Sequence, residues 1–207
     1  MRGAVTLPRS WYARESLDVA PDLLGKVLVR HDLGVAARIV ETEAYLSHDP
    51  ACHAHRGLTP GNAVLFGPPG HAYVYFTYGM HWMLNTVTGA DGDGQGVLLR
   101  AAEPLEGVEA MRARRGAAVG DRDLLRGPAR LAQAFGIDRG WKGADLVASA
   151  ALLTVLDDGW RPPTVTAGPR VGVRQAADLP WRFHVRDNPW VSGYKRHPRA
   201  GGPHPAG

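Results

Sequence analysis

Apolar and polar positions along most of this chain alternate with a period of two, which is the spacing of strands. Lys26–His31 (KVLVRH) and Val35–Leu46 read as a hairpin around an Asp32-Leu33-Gly34 turn. Ala72–Thr77 reads as a strand with Tyr73 and Tyr75 on one face and Val74 and Phe76 on the other. Tyr78-Gly79 makes a reversal, and Met80–Val87 returns. Gly96–Ala101, Ser149–Leu156, Val165–Val173 and Pro180–Val185 supply the remaining strands. Helical spacing is confined to shorter stretches. Ser16–Leu24 ends at Gly25 and tolerates Pro21 only in its first turn. Thr59-Pro60 opens a helical turn over Asn62–Phe66, with Thr59 as N-cap. Pro104 starts a helix over Leu105–Arg115, and Gly127-Pro128 starts another that ends near Gly136. Residues 1–9 and 199–207 read as flexible tails. With no repeat and no interdomain linker, residues 1–207 are expected to form one domain.

Three features depart from simple alternation. In RIVETEAYL, Ile39, Glu41, Glu43 and Tyr45 share one strand face. Two carboxylates there are either a solvated edge or part of a site. In GVLLRA, Arg100 is a lone charge in an apolar run; buried, it needs a partner, and a glutamate of the ETE strand is the natural one. The hairpin tip carries Tyr78 and Met80 where Asn-Gly or Asp-Gly is the usual choice. Either the tip packs under another loop, or it is a wedge for insertion between base steps.

Composition adds a partner class. Basic charge is carried by 21 arginines and 3 lysines, with a net charge of +4. Arginine forks match phosphate oxygens and stack on bases, so nucleic acid fits; a general preference for arginine codons is the alternative. Arg112, Arg114, Arg115, Arg122, Arg126 and Arg130 form the densest run, either a phosphate-binding face or a solvated one. No apolar run approaches the ~18 residues that span a bilayer, and the first residues lack the apolar region of a signal peptide. A single cysteine, Cys52, precludes an internal disulfide, and the expected compartment is the cytoplasm. His48–His55 (HDPACHAH) is the best metal candidate, but its spacing fits no familiar zinc pattern, and the expectation is no metal and no cofactor. Gly89–Gly96 imitates a calcium loop whose twelfth position would be Ala102, so that reading fails.

The runs RIVETEAYL, DPACHAHRG, TPGNAVLFGPPGHAYVYFTYGMHWMLN, GVLLRAAEPLEG, GPARLAQAFGI and PRVGV, in order between about Leu23 and Ser192, resemble the alkyladenine (3-methyladenine) DNA glycosylase family. The resemblance implies an α+β fold: one compact domain with a curved antiparallel β-sheet, a protruding β-hairpin and surrounding helices. It implies a monomeric repair enzyme that flips an alkylated or deaminated purine out of double-stranded DNA and hydrolyses its N-glycosidic bond. Glu43 would activate the water, which Arg100 and the Val171 carbonyl would also hold. Tyr45 and His53 would sandwich the base against Tyr75, and Asn85 would exclude guanine. Tyr78 would fill the gap in the duplex, flanked by Met80, and Thr59, His81 and Arg130 would contact DNA. Two departures touch these contacts: His81 replaces a tyrosine of the vertebrate members, and the loop after His53 is one residue shorter. None of the lysines, Lys26, Lys142 and Lys195, lies in a matched run, so a Schiff-base lyase step is not expected.

Overall fold

The two longest strands, β3 (Val35–Tyr45) and β6 (Gln95–Glu106), lie side by side and decide the architecture. In the computed structural model, which describes residues 3–201, every strand pairing is antiparallel. Around this central pair the remaining strands are β1 (Val5–Thr6), β2 (Val27–Arg30), β4 (Ala72–Thr77), β5 (His81–Thr88), β7 (Leu153–Asp157), β8 (Val165–Gly168) and β9 (Arg182–Val185). They run in the order β1-β7-β2-β3-β6-β5-β4. The sheet forks at β3: its first half pairs with β2, and Glu41–Glu43 pair instead with β9, which carries β8.

The β3–β6 ladder is irregular where the fork begins. Its register steps from Ile39↔Ala102 to Glu41↔Ala101 and then to Thr42↔Leu99, so Val40 and Arg100 are the unpaired extra residues. Such bulges bend a strand, increase its twist and re-aim side chains, and the sheet is accordingly curled. Among the described residues four short α-helices flank it: α1 (Arg9–Tyr12), α2 (Ser16–Asp22), α3 (Val108–Arg115) and α4 (Pro128–Ala134). Their apolar sides, including Val19, Met111, Leu131 and Phe135 from the end of α4, join Leu28, Ile39, Leu84 and Leu99 in the main core. A second cluster of Cys52, Ala54, Leu65, Tyr73 and Val87 lies under the histidine-rich loop.

The expected α+β single domain with its hairpin is present, and several local expectations are corrected. Residues 1 and 2 lie outside the described residues, and residues 3–9 do not form a loose tail: β1 pairs with β7, Leu7 is buried, and the Arg9 guanidinium reaches Asp145 at 2.6 Å. Of the C-terminal tail, 202–207 lie outside the described residues. Pro21 sits near the end of α2, not in its first turn. The chain turns out after it, so only one interior bond is lost, and the next amides still bond back, Leu23 to Val19 at 2.9 Å. Pro104 starts no helix; it continues β6 opposite Ala37, and α3 begins at Val108. β5 pairs β6 only as far as Leu98, so Pro104 sits where the outer side of β6 is unpaired and its missing N–H costs no ladder bond. The helical turn expected after Thr59-Pro60 is present as a 3-10 turn at Ala63–Phe66, with the Thr59 hydroxyl accepting from the Asn62 N–H at 3.3 Å. The strands expected at Ser149–Leu156 and Val165–Val173 are shorter, because Leu153–Asp157 and Val165–Gly168 alone find partners.

Candidate active site

The bulge brings the lone charge of β6 to both carboxylates of β3. Arg100 Nε donates to Glu41 Oε1 at 2.8 Å, and its Nη1 lies 3.2 Å from Glu43 Oε1. Both glutamates are wholly buried, which rules out the solvated-edge reading. Their surroundings then differ. Glu41 also accepts from Arg182 Nε (2.7 Å), from the Ser192 N–H (2.8 Å) and from the Ser192 hydroxyl (2.9 Å). Burial alone would raise its pKa, but the fields and hydrogen bonds of Arg100 and Arg182 outweigh this and hold it below the usual carboxylate range.

Glu43 instead lines a cavity of about 380 Å³. Its Oε1 accepts from the Val171 N–H at 2.7 Å, and its Oε2 accepts from the Tyr45 hydroxyl at 2.8 Å. Val171 thus meets Glu43 through its amide, a contact separate from the hold on the water that the resemblance implies for its carbonyl. Gly172, at φ 69, turns the chain directly after it. Burial, reinforced by the Glu43 charge, pushes the Tyr45 hydroxyl well above its ordinary pKa, so it remains a donor. Two carboxylates and two guanidiniums, Arg100 and Arg182, leave this buried cluster electrically balanced, the condition under which buried charges are tolerable.

Aromatic rings wall the same cavity. His53 meets Tyr75 edge-on, with ring centroids 4.4 Å apart, and its Nδ1 bonds the Tyr73 hydroxyl at 2.8 Å. Desolvation lowers the pKa of His53, which favours the neutral ring. Burial raises Tyr73 to about 12 and Tyr75 further, and both keep their protons. Asn85 is buried at the floor and donates to the Tyr73 carbonyl at 3.0 Å. At the rim stands the β4–β5 hairpin. Tyr78 (φ 52) and Gly79 (φ 67) make the reversal. Tyr78 and Met80 are 76% and 67% exposed, so the tip packs under no other loop.

Two supporting residues were not foreseen in the sequence. Arg170 is 1% exposed, with its guanidinium between the Tyr45 ring (4.7 Å) and the Trp181 ring (5.1 Å). It donates to the Ala44 carbonyl at 3.0 Å and is paired with Asp49 of the histidine-rich loop. Its one signal was its place inside the PRVGV run. Asn62 donates to the carbonyls of His53 (2.8 Å) and Gly57 (3.0 Å), fastening the loop that carries His53.

Comparison with known proteins decides the class. The model of the methylpurine-DNA glycosylase family matches residues 10–189. The chain belongs to the methylpurine-DNA glycosylase family. It is 56% identical over 193 residues to a protein of Burkholderia lata, covering 92% of each chain. It is 47% identical to one of Carboxydothermus hydrogenoformans, covering 90% of this chain and 98% of that one. It is 48% identical to one of Methanocella arvoryzae, covering 93% and 97%. All three relatives are named as proposed 3-methyladenine DNA glycosylases.

In this family member the residues expected to touch DNA are dispersed. His81 is exposed beside the tip of the hairpin, opposite Thr77. Thr59 is exposed, and its N–H donates to Asn62 Oδ1 at 2.6 Å. Arg130 is paired with Asp123. The arginine-rich run is largely engaged within the protein: Arg112 with Asp121, Arg115 with the Leu124 carbonyl, Arg122 with the Pro189 carbonyl and Arg126 with the Val191 carbonyl. It staples α3, α4 and the C-terminal loop together. In the histidine-rich loop, Asp49 is committed to Arg170, and among the described residues no three His, Cys, Asp or Glu side chains converge as metal ligands. No helix among the described residues is long and apolar enough to cross a membrane.

Proposed function

We propose that the protein acts as a monomer, in the cytoplasm, on double-stranded DNA containing damaged purines. It flips the damaged nucleotide into the cavity beside Glu43 and hydrolyses its N-glycosidic bond, leaving an abasic site. The observation that carries this reading is Glu43: a fully buried carboxylate, held on both oxygens by donors, on the wall of a cavity lined by aromatic rings. Burying a charge is costly unless it is paired and hydrogen-bonded, and this one is both. A carboxylate has about four lone-pair sites. Glu43 therefore retains capacity to accept a proton from water while Val171 and Tyr45 fix its direction.

Turning a nucleotide out of the duplex costs on the order of a few kcal/mol. Tyr78, inserted in the gap, recovers part of it, since base–aromatic stacking is worth ~1–3 kcal/mol. The turned-out base stacks among Tyr45, Tyr75 and His53. An alkylated purine that carries positive charge gains a further ~0.5–2 kcal/mol from the tyrosine faces. A neutral His53 adds no repulsion. Asn85, fixed by its bond to the Tyr73 carbonyl, presents a rigid edge against bases with an extra exocyclic amine.

As the bond to the base breaks, its electron pair leaves with the base, and positive charge develops on the sugar. The Glu43 carboxylate stabilises that charge and takes a proton from the water that adds to C1′. A cationic base departs neutral and needs no separate acid. Lys26 is paired with Asp157 and Lys142 with the Gly61 carbonyl, and among the described residues no lysine lines the cavity, which supports simple hydrolysis without a lyase step.

The test is a base-release assay on duplexes each carrying one 3-methyladenine, 7-methylguanine, hypoxanthine or ethenoadenine. Free base and an alkali-labile site are expected from at least one of them. No release from any lesion overturns the reading, and a borohydride-trapped covalent adduct overturns the monofunctional mechanism.

A further inference from the structure

The protein's basic side chains are mostly neutralised internally, which makes the exceptions informative. Arg9, Arg14, Arg30, Arg38, Arg161 and Arg196 each pair with an aspartate. Three that do not, Arg56, Arg174 and Arg199, line one groove of about 630 Å³. Among the described residues none of these three guanidiniums has an ion-pair or hydrogen-bond partner, and no carboxylate lines the groove. The acids next in sequence to the groove's Pro50 and Ala177 are committed elsewhere, Asp49 to Arg170 and Asp178 to Arg196. Three like charges facing one concavity repel one another, and an anion between them reverses the sign of that interaction.

The groove and the Glu43 cavity are built from the same two loops. Ala51, Cys52 and His53 line the cavity, and Pro50 and Arg56 line the groove. Val171, Gly172 and Val173 line the cavity, and Arg174–Ala177 line the groove. Arg170 ties the two together: the guanidinium that stacks on Tyr45 also donates to the Ala176 carbonyl at 3.4 Å.

We infer that the Arg56–Arg174–Arg199 groove is a phosphate-binding site that holds the DNA backbone flanking the extruded nucleotide. This rests on the reading of the protein as a DNA glycosylase. The groove supplies the sequence-independent grip that the Arg112–Arg130 run, engaged within the protein, leaves to other residues. It contributes to affinity for damaged and undamaged duplex alike and takes no part in bond cleavage.

The test compares wild type with R56Q/R174Q/R199Q, all three side chains being exposed. Affinity for an undamaged duplex is measured across a salt series, base release from a damaged duplex at saturating enzyme, and melting temperature as a check on folding. Each phosphate released lowers the slope of log K against log salt by about 0.9. The triple variant is expected to lose about 1 to 3 in slope while melting as wild type does and keeping its saturated rate. A fall in slope smaller than about 0.9 overturns the inference. If inorganic phosphate stabilises wild type but not the variant while the DNA salt slopes are equal, the groove serves a free anion, and the inference fails. Should the triple variant not fold, the single variant R199Q is put through the same series, with an expected slope loss of about 0.9 and no loss as the contrary result. Because the slope is read on undamaged DNA, it stands apart from base release: wild type that releases no base overturns the glycosylase reading, whereas wild type that releases base beside an unchanged slope overturns the groove alone.

Discussion

Glu41 and Glu43 stand two residues apart on one strand, both wholly buried and both touching Arg100, yet they have different neighbours. Glu41 is surrounded by two arginines and both donors of Ser192, and it joins β3, β6, β9 and the C-terminal loop. Glu43 touches the same arginine at longer range, and otherwise only groups of the cavity wall. A saturated buried carboxylate is an anchor; one with remaining lone pairs in a cavity is a reagent. The bulge at Val40 and Arg100 allows one guanidinium to serve both.

The sharpest way to break this division is Glu43→Gln. Loss of a positioned base costs about 10²–10⁴ in rate, so single-turnover base release should fall by that range while the melting temperature falls less than in Glu41→Gln, since Glu43 meets one guanidinium at 3.2 Å and Glu41 meets two at 2.8 and 2.7 Å. Glu41→Gln should do the reverse. Removing one partner of a buried ion-pair cluster costs about 3–5 kcal/mol. For a chain of this size that is a melting temperature lower by roughly 6–20 °C, with base release per folded molecule within about tenfold of wild type.

The pH dependence of that deficit sharpens the assignment. The folded-state pKa of Glu41 is depressed, so its contribution is present above the unfolded value near 4.5 and is lost as pH falls through the lower folded value. Urea unfolding of wild type and E41Q should therefore differ most at neutral pH and converge in acid below 4.5. A gap that is constant across pH would show that Glu41 is not the stabilising charge.

The hairpin tip gives the smaller effects. Tyr78→Ala should weaken binding to damaged duplex by about 1–3 kcal/mol, measured as Kd, with no loss of stability. Tyr78→Gly should raise stability by up to about 1–2 kcal/mol, because a tyrosine at φ 52 is strained and glycine is not. Retention of that strain at an exposed tip fits selection for what the ring does outside the fold.

The elements legible in the sequence are those set by neighbours in the chain. Alternation placed Ala72–Thr77 with its tyrosines on the cavity side, and Gly127-Pro128 placed the start of α4. The lone Arg100 pointed to a glutamate partner because a buried charge leaves little choice. The choice between the two glutamates was not legible from pattern, since it depends on Arg182 and Ser192, 141 and 151 residues further along. The same holds for Arg170, whose partner Asp49 lies 121 residues away. Pro104 misled because a proline before a helical spacing reads as a helix start, and only the unpaired outer side of β6 makes it acceptable in a strand.

The most direct test of the account is a crossed measurement on E41Q and E43Q: melting temperature, and single-turnover base release from a duplex bearing one damaged purine, at saturating enzyme. The account predicts that E43Q loses base release and melts closer to wild type than E41Q does, because Glu43 meets one guanidinium at longer range where Glu41 meets two, and that E41Q loses melting temperature and keeps base release. If both variants fail in the same assay, or if E43Q releases base at the wild-type rate, the division of labour between the two carboxylates is wrong.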